Sequence, residues 1–171
     1  GDFAGRYIHY GVREHAMAAI SNGLALHKGL LPYCATFLCF SDYCKPAIRL
    51  TALMEQKVIY LFTHDTITQG PDGPTHQPVE DFVALRAIPN FMFLRPADAI
   101  EAAECWELAL EAKDQPVTVV STREAVPQVR VLHTDENLCR KGAYVFAEAD
   151  GEARVTILAT GSEVCVARDA R

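Results

Sequence analysis

Residues 57–63 carry Val-Ile-Tyr-Leu-Phe without a polar break. A strand with one wet face alternates polar and apolar side chains, so an unbroken apolar strand must be covered on both faces. Such strands belong to parallel sheets, whose neighbours are joined by long crossovers, usually helices. The chain supplies both parts. Apolar runs at 31–38, 91–94 and 116–121 predict further buried strands. Between them, residues 13–28 place Met17, Ile20, Leu24 and His27 on related turns of a helix that Gly29 stops. Ser41 is placed to cap a helix through Leu53, with Pro46 near its first turn. Residues 79–88 read as helical, and Asp98 caps a helix running to about Ala112. Residues 7–10 read as a short extended run. Residues 155–159 read as a late strand ending in Thr160-Gly161-Ser162, and 125–141 as a connector toward a further strand pair. The expected architecture is α/β, a three-layer αβα domain with a mainly parallel central sheet.

In open parallel sheets, ligands bind outside the carboxyl ends of the strands. The polar stretches that follow the strands, at 37–43, at 64–76 and at Arg123, are therefore candidates for one shared site. The loop 64–76, HDTITQGPDGPTH, gathers His64, Asp65, Asp72 and His76 in a segment bent by Gly and Pro. Long loops inside compact domains are commonly functional. At this level three readings stay open: a substrate loop, a solvated surface loop, or a cation site, although the spacing matches no tight ligand template. Phe37, Phe40 and Tyr43 recur every third residue after a predicted strand, which suits either core packing or a stacking box for a flat heterocycle. Glu14 lies where a helix begins, where a carboxylate is favourable in any case. Arg123, at a strand end, suits a surface ion pair or an anion clamp.

Composition removes some classes. Net charge is −6, so no basic field exists to hold nucleic acid. No apolar run is long enough for a bilayer, and residues 1–6 carry no apolar core of a secretory signal. The six cysteines (Cys34, Cys39, Cys44, Cys105, Cys139, Cys165) form no CxxC pair, which points to buried thiols in a reducing, cytoplasmic setting rather than to a metal or redox module. Both ends read as cut, as expected of a piece of a longer polypeptide.

Four stretches together resemble transketolase. YIHYGVREHAM (7–17) is similar to the family segment bearing its cofactor-activating glutamate, and TFLCFSDYCKPAIRL (36–50) to its aromatic pocket. THD with GPDGPTHQP (63–78) resembles its substrate loop, and LRAIPN with RPADA (85–99) is a further signature. The likeness runs from about Tyr7 to Arg123 and returns at ATGSEV (159–164), which in the family opens the C-terminal domain.

The resemblance implies the pyrimidine domain of the thiamine diphosphate-binding fold, over 1–131 without its opening segment. Residues 132–171 would be a connector and the start of the C-terminal domain. It implies transfer of a two-carbon unit from a ketose phosphate to an aldose phosphate with thiamine diphosphate, in the pentose phosphate pathway and in the Calvin cycle of autotrophs. Glu14 would bond the pyrimidine ring nitrogen. Phe40 would stack on that ring, with Phe37 and Tyr43 completing the pocket. His64 and Arg123 would contact the substrate phosphate, Asp72 the C2 hydroxyl, and His76 the reacting carbonyl. Mg2+ or Ca2+ would be held by an N-terminal domain absent from this chain. The partners would be sugar phosphates, the missing N- and C-terminal domains and a second copy in a homodimer; alone, the fragment would be inactive.

Departures from the family pattern are Thr68, Gln69 and Pro71 in the loop, Glu124 after Arg123, and Ile100 after RPADA. They bear on loop geometry and substrate affinity. Two other readings stand beside this one: a dihydroxyacetone synthase-type transketolase, and a non-catalytic dimerisation or regulatory module.

Overall fold

The computed structural model describes residues 5–68 and 70–171; Gln69 and residues 1–4 lie outside the described residues. Four strands form one sheet: β1 Tyr33–Phe37, β2 Ile59–Thr63, β3 Met92–Leu94 and β4 Val117–Val120. Their order is β1-β2-β4-β3 and every pairing is parallel. The main helices are α1 Glu14–His27, α2 Ser41–Leu53, α3 Asp81–Arg86 and α4 Ala99–Glu111, followed by a short α5 Glu163–Asp169.

The two-residue period of a strand sends side chains to opposite faces. Tyr60 and Phe62 join Met17, Ile48 and Leu85 beneath α1, α2 and α3. Ile59 joins Val117, Val119, Cys105 and Ala109 beneath α4. This is the three-layer arrangement expected from unbroken apolar strands. Phe62 is fully buried and contributes about 2–3 kcal/mol by removal from water.

α1 ends where expected: Lys28 (φ 66°) and Gly29 (φ 83°) take left-handed backbone, and the Lys28 N–H closes on the Ala25 carbonyl at 3.1 Å. α1 and α2 are joined by a buried polar network. Asn22 donates to the Ala47 carbonyl (3.0 Å), Thr51 donates to Asn22 Oδ1, and the Tyr60 hydroxyl meets Thr51 Oγ1 at 2.7 Å.

Several expectations change. Ser41 is not a cap: a single 3-10 turn, Leu38–Phe40, leads into α2, Ser41 is its first helical residue, and its buried hydroxyl has no hydrogen-bond partner. Pro46 consequently falls inside α2 rather than in its first turn. Residues 155–159 form no strand, and the expected strand pair after residue 141 is absent among the described residues. A strand is made by its neighbour's ladder, and the described ladders join only the strands β1 to β4. Val155 and Leu158 are left 79% and 90% exposed. The connector instead packs on α4. Asp98 anchors residues 128–130, the ion pair Arg130–Glu104 spans 2.7 Å, and a turn at Leu138–Lys141 is fastened by Asn137 and Cys139 to Glu104.

Candidate active site

Every candidate residue beyond Glu14 and the first turn of α2 lies at the carboxyl end of a strand or in the loop that follows it. β1 ends at Phe37, and the Leu38–Phe40 turn follows. Leu38 is fully buried and anchors that turn, while Phe37 and Phe40 are only half-buried. Their rings lie nearly parallel, 12° apart with centroids at 5.6 Å. The exposed Tyr43 ring sits 6.0 Å from Phe40.

β2 ends at Thr63, and His64 takes left-handed backbone, φ 63°. This turns its imidazole flat against Phe37, with centroids at 3.5 Å and planes 25° apart. Its Nδ1 shares a hydrogen bond of 2.8 Å with Thr63 Oγ1. Beyond it, two short 3-10 turns, Gly70–Asp72 and Pro74–His76, flank Gly73 at φ 75°. They return His76 to the same rings, edge-on to Phe40 at 5.1 Å and to Phe37 at 5.9 Å. Gln77 donates to the Ile67 carbonyl at 2.9 Å and closes the loop. From the end of β4, Arg123 reaches Asp72 at 3.3 Å.

The electrostatics follow from this packing. His64 is held below the usual imidazole range, first by burial and then by the Arg123 cation, against the opposing pull of Asp72. Glu14 is half-buried at the start of α1 and forms no hydrogen bond or ion pair with any described residue. Its charge is felt at Cys44, whose thiol is pushed up to about 12, chiefly by burial and then by Cys34 and Glu14. Cys44 in turn points its thiol at the Phe40 carbonyl, 3.9 Å away.

The structure thus assembles Phe37, Phe40, Tyr43, His64 and His76 in one aromatic group, with Asp72 and Arg123 at its edge. Among the described residues no cluster of three or more His, Cys, Asp or Glu is arranged to hold a metal ion. No described helix is long and apolar enough to cross a membrane. Two near-parallel, half-open aromatic rings and a carboxylate with no partner among the described residues fit a flat heterocycle whose ring nitrogen seeks a proton partner.

Three charged residues here, Asp65, Arg95 and Asp81, were given no individual role in the sequence reading. Asp65 is 2% exposed and pairs with Arg95 at 2.7 Å. Asp81, 4% exposed, has its carboxyl pushed up by burial and then by Asp42 and Glu80. The available signal for the first pair was position: both residues lie within two places of a strand's carboxyl end.

Fold and site together define a class: a parallel αβα domain presenting an aromatic–histidine group at its strand ends and a carboxylate at the start of α1. Residues 1–128 match the family model described as transketolase, pyrimidine binding domain, and the chain belongs to that family. Family and domain together imply thiamine diphosphate. The chain is 57% identical over 164 residues to a transketolase of Cereibacter sphaeroides, covering 96% of this chain and 25% of the relative. A transketolase from Pichia stipitis, solved in complex with sedoheptulose-7-phosphate, superposes with a TM-score of 0.92 at 44% identity, over 99% of this chain and 25% of that one. A split-gene transketolase solved as an inactive β4 tetramer matches at a TM-score of 0.60 and 28% identity, over 70% of this chain and 37% of that one. The chain spans about a quarter of the length of the curated relatives it matches.

Proposed function

We propose that this chain supplies the pyrimidine-gripping half of a transketolase site, in which a two-carbon ketol unit passes from a ketose phosphate to an aldose phosphate. The observation that carries the reading is the aromatic group at the strand ends, with the Glu14 carboxylate on α1 lacking a partner among the described residues. Thiamine diphosphate, when bound, supplies the electron sink that lets a carbon–carbon bond break and re-form.

The chain's own residues hold and polarise. Phe40 and Phe37 give the pyrimidine a stacking surface, and Tyr43 closes its outer side. Glu14 shares a proton with the ring nitrogen. His64, kept neutral by its surroundings, and Arg123 meet the substrate phosphate. The Arg123–Asp72 contact is long and its side chains are 48% and 31% exposed, so it contributes only about 0–1 kcal/mol and yields readily to a phosphate dianion. Asp72 then accepts from the C2 hydroxyl. His76, edge-on to Phe40, lies by the reacting carbonyl and moves protons there.

In this reading residues 1–131 form the pyrimidine-binding part, and 132–171 form a connector and the opening of the next domain. That division is supported by the family match ending at residue 128. The diphosphate and its Mg2+ or Ca2+ are held by another domain, the assembled enzyme is a cytoplasmic homodimer, and its substrates are the sugar phosphates of the pentose phosphate pathway. The inactivity of the split-gene relative's tetramer supports a chain that cannot catalyse alone.

The test is reconstitution. The chain is mixed with a transketolase domain that binds the diphosphate, and two-carbon transfer from xylulose 5-phosphate to ribose 5-phosphate is assayed with thiamine diphosphate and Mg2+. Activity is expected for the native chain and its loss for Glu14→Ala. Activity undiminished in Glu14→Ala, or absent from an assembly shown to be folded and associated, rejects the reading.

A further inference from the structure

Arg95 stands at the end of β3 with its side chain only 9% exposed and every part of its fork engaged. Nε donates to Asp65 Oδ2 at 2.7 Å, Nη2 meets Glu163 at 2.6 Å, and Nη1 donates to the Thr160 carbonyl at 3.1 Å. The guanidinium lies 4.7 Å over the Phe82 ring. The Arg95 carbonyl accepts from Thr160 Oγ1 (3.0 Å) and from the Gly161 N–H (3.2 Å). A Cβ on Gly161, which sits at φ 65°, would come within 2.5 Å of Arg95 Nε, so only glycine lets the two segments approach this closely.

The other end of this contact is the His64 turn. Asp65 is 2% exposed, Arg95 is its ion-pair partner among the described residues, and its Oδ1 has no hydrogen bond. His64 itself holds a left-handed backbone that strains a non-glycine residue. Such a conformation persists only where neighbours over-determine it. Buried ion pairs add little net stability, yet breaking one strands a desolvated charge. Their best use is to fix geometry. We infer that Arg95 is a positioning residue: it holds the His64 turn through Asp65 and couples that turn to the segment Thr160, Gly161 and Glu163. A shift of that segment is thereby felt at the imidazole stacked on Phe37.

The coupling stands on geometry alone; its consequence for substrate binding rests on the function proposed above. Hydrogen exchange in the intact protein tests it. Arg95→Met is expected to raise exchange about tenfold in residues 63–68 and in 159–164, by freeing a local opening. Glu163→Gln, a milder change at a half-exposed residue, is expected to raise both at least twofold. Arg130→Met, which breaks a different buried pair on α4, is expected to leave 63–68 unchanged. Unchanged exchange at 63–68 in Glu163→Gln, or an equal rise in Arg130→Met, overturns the inference. Kinetics of the intact enzyme separate the two claims. The KM for sugar phosphate is expected to rise about tenfold in Arg95→Met, with a smaller change in kcat, and Arg95→Lys is expected to restore part of it. If exchange responds while KM does not, the coupling stands and the substrate role of His64 falls.

Discussion

Replacing Asp98 by Ala tests how the connector is held to the domain. Asp98 is 4% exposed, and each oxygen has its own work. Oδ1 caps α4 by accepting from the Glu101 N–H at 3.0 Å. Oδ2 accepts from the Val129 N–H (3.1 Å), the Arg130 N–H (2.8 Å) and Gln128 Nε2 (2.6 Å). Loss of a cap costs about 1 kcal/mol. Val129 and Arg130 are each 6% exposed, so water does not replace the lost acceptor, and each orphaned N–H costs about 1–3 kcal/mol. Relief of the carboxylate's own desolvation offsets part of this. The expected loss is about 3–5 kcal/mol, a large share of the ~5–15 kcal/mol typical of a domain. Asp98→Asn keeps the cap but puts an NH2 where Oδ2 takes three donors, so it should lose about 2–4 kcal/mol. With a urea slope of about 2 kcal/mol/M, Asp98→Ala moves the unfolding midpoint down by roughly 1.5–2.5 M. A loss below about 1 kcal/mol, or an Asn variant as stable as the native chain, would show that Asp98 only caps α4 and would refute the anchoring argument.

Three further outcomes are expected. His64 is held below its ordinary range by burial and then by Arg123, so Arg123→Gln should raise its pKa in an NMR titration. Because the unfolded chain takes up that proton more readily, stability should rise with pH up to about 6.5, and the contribution should be lost as pH falls below it. Tyr60→Phe removes a buried hydroxyl from the Thr51 and Asn22 network and should cost about 1 kcal/mol, with Thr51→Val non-additive in the double variant by equilibrium unfolding. Burial pushes the Cys34 thiol up to about 11 and Cys44 up to about 12, so a thiol reagent at pH 8 should leave both unmodified in the folded chain and label both after unfolding.

The strands, and the helices between them, were legible because their signals are local. An unbroken run such as 58–62 can be stable only between two layers, and Asp98 caps α4 in the way its place before an amphipathic stretch requires. The aromatic group was legible in part: Phe37, Phe40 and Tyr43 were visible as a set, but their spacing alone did not separate core from pocket. Ser41 misled, because a preceding 3-10 turn moved the helix start ahead of it. Residues 155–159 misled for a different reason: an apolar run states a preference for strand, but the ladder must come from another segment.

The sequence by itself determined a parallel, doubly covered sheet, with Glu14, the 64–76 loop and Arg123 beside it, because burial preference and turn chemistry are written residue by residue. Only the tertiary structure decided that His64 stacks on Phe37, that Arg123 meets Asp72, and that Asp65, Arg95 and Glu163 form one linked group. Those pairs join residues 27 to 68 places apart in the chain. Their closeness depends on strand order and register, which come from the packing of the whole domain and not from any local pattern.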